Sequence, residues 1–122
     1  VRRNLIALLV LGVVVSTAPS ASAHAVKTDS NPAFAAHLSK LPSKVWVEFD
    51  GNLIDLSGRQ TNFLIVKDPK GREIQSGKAY VGGARITVNL KSSKLAGRYI
   101  ATWRVVSEDG HPVLGNSFFY LN

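Results

Sequence analysis

From Gly97 to Val106 the sequence alternates strictly enough to fix its own backbone: Tyr99, Ala101, Trp103 and Val105 fall on one side, and Ile100, Thr102, Arg104 and Val106 on the other. Side chains of an extended chain point alternately to opposite faces, so a run of this kind needs a second layer over its apolar side. The same period recurs elsewhere. Val45, Val47 and Phe49 alternate with Trp46 and Glu48, and Ile86, Val88 and Leu90 share one face. Phe63 to Val66 and Phe118 to Leu121 are compact apolar runs, and Leu53-Ile54 is a shorter one. Turn signals separate them: Asp50-Gly51-Asn52, Asp68-Pro69-Lys70-Gly71, Gly82-Gly83, Ala96-Gly97 and Gly115-Asn116. The turn at Asp68 is expected to return as a hairpin to a partner near Glu73 to Gln75. No stretch has the period of an amphipathic helix. About seven strands at roughly 8 to 12 residue spacing predict an all-β, seven-stranded, immunoglobulin-like Greek-key sandwich with Trp103 between its sheets.

The first residues do not belong to that pattern. Val1-Arg2-Arg3, an apolar run from Leu5 to Val15 and then Ala21-Ser22-Ala23 form a secretory signal peptide, expected to be cut after Ala23. The apolar run is too short to span a bilayer, and no later stretch reaches the ~18 residues a membrane helix requires. Residues 24–122 are therefore expected as one exported domain without membrane insertion, periplasmic or extracellular. Cleavage removes two arginines and no acid, which leaves 99 residues carrying +5. From His24 to Pro42 the chain is polar and irregular, and reads as an extended arm leading into the domain.

The sequence has no Cys, so an exported domain of this size must hold itself together with an ordinary core instead of disulfides. It has no Met either. Without sulfur ligands, a transition metal would have to be held by nitrogen and oxygen. The positive charge raises nucleic acid as a partner, but the lysines sit mostly in or beside turns and no five-residue run is purely basic. A solvated surface without nucleic-acid binding is the expectation.

Three histidines are candidates for metal binding. Cleavage before His24 would give that residue a free α-amine beside its imidazole, and the two can close a six-membered chelate ring on one ion. Asp109 and His111 stand two residues apart after the longest strand, so an extended backbone would aim both the same way. Three nitrogens and one oxygen make a tetragonal Cu(II) set. Each piece also has a plainer reading: Asp-Gly is a common turn dipeptide, Pro112 ends a strand, and His37 is an exposed loop residue with no matching ligand nearby.

The pattern resembles the CopC family of periplasmic and secreted copper-binding proteins. The resemblance rests on His24-Ala25, Ser30-Asn31-Pro32-Ala33, Val45-Trp46-Val47-Glu48-Phe49, Ala96-Gly97-Arg98-Tyr99 and above all Trp103-Arg104-Val105-Val106-Ser107-Glu108-Asp109-Gly110-His111-Pro112-Val113-Leu114-Gly115. It implies a seven-stranded sandwich that binds Cu(II) through His24 with its amine, Asp109 and His111. Some members add a carboxylate just after the first strand, where this chain has Gly51 with Asp50 beside it, and others carry a Met-rich loop for Cu(I) that this chain lacks. The implied role is copper storage, resistance or handover by a monomer, with a copper-transporting membrane protein as partner and no enzymatic activity. Two other functions share parts of this pattern. A copper oxygenase also uses a terminal histidine but keeps open positions that Asp109 would fill, and a metal-free interaction module is compatible with the same fold.

Overall fold

The computed structural model describes residues 25–56 and 58–122. The predicted signal peptide and His24 lie outside them. Eight strands run in order: β1 (Lys27–Asn31), β2 (His37–Leu38), β3 (Lys44–Phe49), β4 (Phe63–Lys67), β5 (Gln75–Gly82), β6 (Arg85–Leu90), β7 (Gly97–Val106) and β8 (Pro112–Leu121). They form two four-stranded sheets, β1-β3-β6-β5 and β2-β8-β7-β4. The only parallel pair among them is β2 with β8, where His37 faces Tyr120 and Leu38 faces Leu121. Among the described residues no helix is long and apolar enough to cross a membrane.

The alternation does what period two requires. Tyr99, Ala101, Trp103 and Val105 of β7 are buried and meet Val45, Val47 and Phe49 of β3 and Ile86 and Val88 of β6 in one core. Trp103 packs edge-on to Phe49 with ring centroids 6.4 Å apart, and Tyr99 stacks on Phe119 at 5.4 Å. The Tyr99 hydroxyl, deep in this core, donates to the Leu95 carbonyl at 2.7 Å and lies 3.0 Å from Ser93 Oγ. That satisfies a polar group which burial would otherwise penalise. Gly115 faces Trp103 across the β7–β8 ladder, and a Cβ at Gly115 would stand 2.5 Å from the indole Cζ2. The final glycine of the long motif is there because the ring lies on it.

Three expectations need correction. The sandwich has eight strands where seven were predicted, because the arm from His24 to Pro42 contributes two while Leu53-Ile54 forms only an isolated bridge to Ser107 and no strand. Lys27–Asn31 pairs antiparallel with β3 at a sheet edge, and only Ser30 of it is buried, so its side chains carry no apolar alternation. The hairpin at Asp68 is only a start: Lys67 bridges Glu73 and the Ile74 N–H donates to the Val66 carbonyl at 2.9 Å, after which β5 crosses to pair with β6 in the other sheet.

Strand direction sorts the connections to two ends of the sandwich. One end holds the entry at Ala25, the segment 50–62, the turn 83–84 and the turn 107–111. The other holds 39–43, 68–74 and 91–96.

Candidate metal site

β7 stops at Val106 and the chain turns back into β8 through Ser107 to His111. Ser107 is buried and bridged to Leu53, its N–H donates to the His111 carbonyl at 3.1 Å, and the Gly110 N–H donates to the Ser107 carbonyl at 2.9 Å. Gly110 has φ +81°, a left-handed conformation that side chains rarely adopt. This turn, and not an extended backbone, is what brings Asp109 and His111 together. The pair is the predicted one, reached by different geometry.

The Asp109 carboxylate is held from several sides. Its Oδ1 accepts a very short hydrogen bond from the Ser107 hydroxyl and another from the His111 N–H at 3.0 Å, while Oδ2 lies 3.0 Å from His111 Nδ1. The Ser107 hydroxyl foremost, then the His111 N–H, hold its carboxyl far below the usual carboxylate range against partial desolvation, and the His111 ring adds to the effect. Asp109 is therefore an ionised, acceptor-only group at neutral pH. The His111 side chain is 67% exposed and Asp109 18%, so the imidazole projects outward from a seated carboxylate. In the tautomer whose Nδ1–H donates to Oδ2, the ring lone pair is on Nε2. Ligating histidines commonly have this arrangement, with the other ring nitrogen oriented by a carboxylate.

The start of the described chain lies at the same end. Ala25 is buried, the Val26 N–H donates to Asp50 Oδ1 at 2.7 Å, and the Asp50 N–H donates back to the Val26 carbonyl at 2.9 Å. Three residues on, Leu53 bridges Ser107, and the Ile54 N–H donates to the Val106 carbonyl at 2.8 Å. A continuous set of contacts thus runs from the chain entry through residues 50–54 to the Asp109–His111 turn. Asp50, considered from sequence only as a neighbour of a ligand position, clasps the entering backbone.

His37 is not brought to this site. It pairs with Tyr120 near the far end of β8, stacks on that ring at 4.6 Å and places Nδ1 3.1 Å from Asn122 Oδ1. Among the described residues no group of three or more His, Cys, Asp or Glu converges. Sequence reasoning passed over Ser107 and the Asp50 clasp. The spacing Ser-x-Asp at a strand end was the available signal for the first, since short hydroxyl and carboxylate side chains close turns on each other and on nearby backbone.

An exposed imidazole oriented by a seated carboxylate, at the end of a two-sheet sandwich where the chain enters, defines a class: β-sandwich proteins with a polar nitrogen and oxygen site on a turn. The chain belongs to the CopC family, whose domain model matches residues 27–122. Its structure is similar to the crystal structure of CopC from Methylosinus trichosporium OB3b, with TM-score 0.68 and 22% identity over 81% of this chain and 94% of that one. It is also similar to PcoC, a methionine-rich copper resistance protein from Escherichia coli, with TM-score 0.65 and 23% identity over 82% of this chain and all of that one. No match is found among curated protein sequences.

Proposed function

We propose that this is an exported copper-binding protein that carries Cu(II) as cargo on His24, its α-amine, Asp109 and His111, for storage, resistance or handover. The observation that carries the reading is the Asp109–His111 pair at 3.0 Å, preassembled at the end where the chain enters a CopC-family domain. The donor chemistry fits: with no Cys and no Met in the sequence, the available ligands are nitrogen and oxygen, which suit Cu(II). Ser107 and the turn hold the carboxylate ionised, the carboxylate orients the imidazole, and processing before His24 supplies the amine. That amine must lose its proton to bind, so affinity falls as pH drops below its ordinary pKa of about 7.7 to 8.0. A copper-transporting membrane protein is the natural giver or receiver for a monomeric carrier of this kind.

The test uses exported protein whose amino terminus has been sequenced. His24→Ala and His111→Ala are each expected to lower Cu(II) affinity in competition titrations and to shift the visible copper absorption, while His37→Gln leaves both unchanged. An unaltered affinity and spectrum in His24→Ala would refute the amino-terminal half of the site.

A further inference from the structure

The lysines look scattered in sequence, yet the fold collects them. Lys40 and Lys44 border the loop before β3, and Lys91 and Lys94 lie in the segment after β6. Both connections are at the end opposite the Asp109–His111 turn. The Leu90 N–H donates to the Ser43 carbonyl at 2.9 Å and the Asn122 N–H to the Leu38 carbonyl at 2.9 Å, so these segments pack together. All four lysines are exposed, and none has an ion-pair partner among the described residues. Of the acids at this end, Asp68 pairs with Arg72 at 2.8 Å, while Glu73 accepts only from the neutral Gln75 amide at 2.8 Å and keeps its charge, one carboxylate against four lysines.

The basic end continues onto the outer face of the β2-β8-β7-β4 sheet. Lys67, Ile100 and Phe118 are in register across β4, β7 and β8, and Arg98 faces Tyr120 in the next outward-facing row. Phe34 is 62% exposed, meets Phe118 edge-on at 4.6 Å, and Phe118 meets Tyr120 at 5.7 Å. The Arg98 guanidinium stands 5.7 Å over the Phe118 ring. An exposed aromatic group with Arg98 over it, on the sheet face that leads to an end carrying four lysines without ion pairs among the described residues, suits a surface that is anionic outside and apolar just beneath. A second copy of the chain would bring like charges together, and a soluble polyanion would have no use for Phe34.

We propose that this end docks the protein on an anionic phospholipid surface, with Lys40, Lys44, Lys91 and Lys94 over the headgroups and Phe34 in the interface, so that the Asp109–His111 end points away from the bilayer. The inference does not rest on copper binding. All eight described strands lie between Lys27 and Leu121, so the predicted mature protein beginning at His24 retains every one of them.

The experiment is cosedimentation of that protein with vesicles of phosphatidylcholine alone or mixed equally with phosphatidylglycerol. Retention is expected only on the mixed vesicles at low salt and is expected to vanish at high salt. Each base near such a surface contributes about fivefold, so Lys91→Gln with Lys94→Gln should weaken partitioning about 30-fold. Phe34→Ser should weaken it at every salt concentration at which the parent is retained. Equal retention on both vesicle types, no retention on the mixed ones, or full retention of the double lysine variant overturns the proposal. Capture by immobilised polyglutamate without vesicle binding would assign an acidic polypeptide instead and equally overturn it. Circular dichroism of each variant separates lost docking from lost fold, and Cu(II) titration of the double lysine variant is expected to match the parent.

Discussion

Substituting Gly115 by Ala tests whether the Trp103 ring is as tightly seated as its surroundings imply. The added methyl would stand 2.5 Å from Cζ2, 2.6 Å from Cε2 and 2.8 Å from Nε1 of the indole. Ordinary carbon contacts are about 3.5 to 4.0 Å, so the ring or the strand must yield by about 1 Å. The ring has little room to do so, because Phe49 abuts it and its residue is only 5% exposed. Overpacking of a filled core costs about 1–3 kcal/mol, and an overlap with three rigid ring atoms belongs in the upper part of that range, about 2–3 kcal/mol. For a domain of this size each kcal/mol shifts the melting temperature by about 4–8 °C, which gives a loss of roughly 8–24 °C. Thermal unfolding followed by tryptophan fluorescence and circular dichroism measures it. Gly82→Ala is the control, since a Cβ there meets nothing within 4 Å and its φ is not in the left-handed range. A Gly115→Ala variant melting within a degree or two of the control would refute the argument.

Tyr99→Phe removes the hydroxyl that reaches Leu95 and Ser93, leaving the half-buried Leu95 carbonyl without that donor, and is expected to cost about 1 kcal/mol in urea unfolding with an unchanged denaturant slope. Asp68 is held below its ordinary pKa of 3.8 because, although desolvation opposes ionisation, hydrogen bonds from Arg72 and Lys70 and the Arg72 charge outweigh it. The unfolded chain binds that proton more readily, so the stability Asp68 contributes is present above pH ~4 and is lost as pH falls through its folded value. Asp68→Asn is expected to be less stable at neutral pH and to show a flatter decline of stability on acidification, which denaturant unfolding between pH 7 and 2 would detect.

The parts of the fold that were legible in sequence are those where burial writes a period. Val45 to Phe49, Arg85 to Leu90 and Gly97 to Val106 each put alternate residues into the core, and Trp103 is buried as expected. Lys27–Asn31 buries one side chain and His37–Leu38 is two residues long, so neither leaves a periodic trace. Their pairing is decided by backbone hydrogen bonds to neighbours that lie far along the chain. At the site, the identity of the Asp109–His111 pair was readable from the motif, whereas the turn that joins them depends on Ser107 and on the φ of Gly110. The gathering of lysines was invisible for a geometric reason. Bases separated by one long strand pair in sequence can share an end in space, because connections at one end recur along the chain only after the strands have returned.

The division of charge between the two ends also changes how a small cation meets this molecule. Its net charge is positive, which taken alone would repel a divalent ion. The ion does not approach a point, however. Asp50, Asp55, Glu108 and the ionised Asp109 lie toward one end together with Lys27, Arg59 and Arg85, whereas Lys40, Lys44, Lys91 and Lys94 lie at the other, beyond the ~8–10 Å over which salt at physiological strength lets charges be felt. Within that distance of the Asp109–His111 turn a cation is screened from the four lysines of the far end, and the charge built into the turn itself is the ionised Asp109 carboxylate. The fold thus keeps that carboxylate and the four exposed lysines at opposite ends of one small domain.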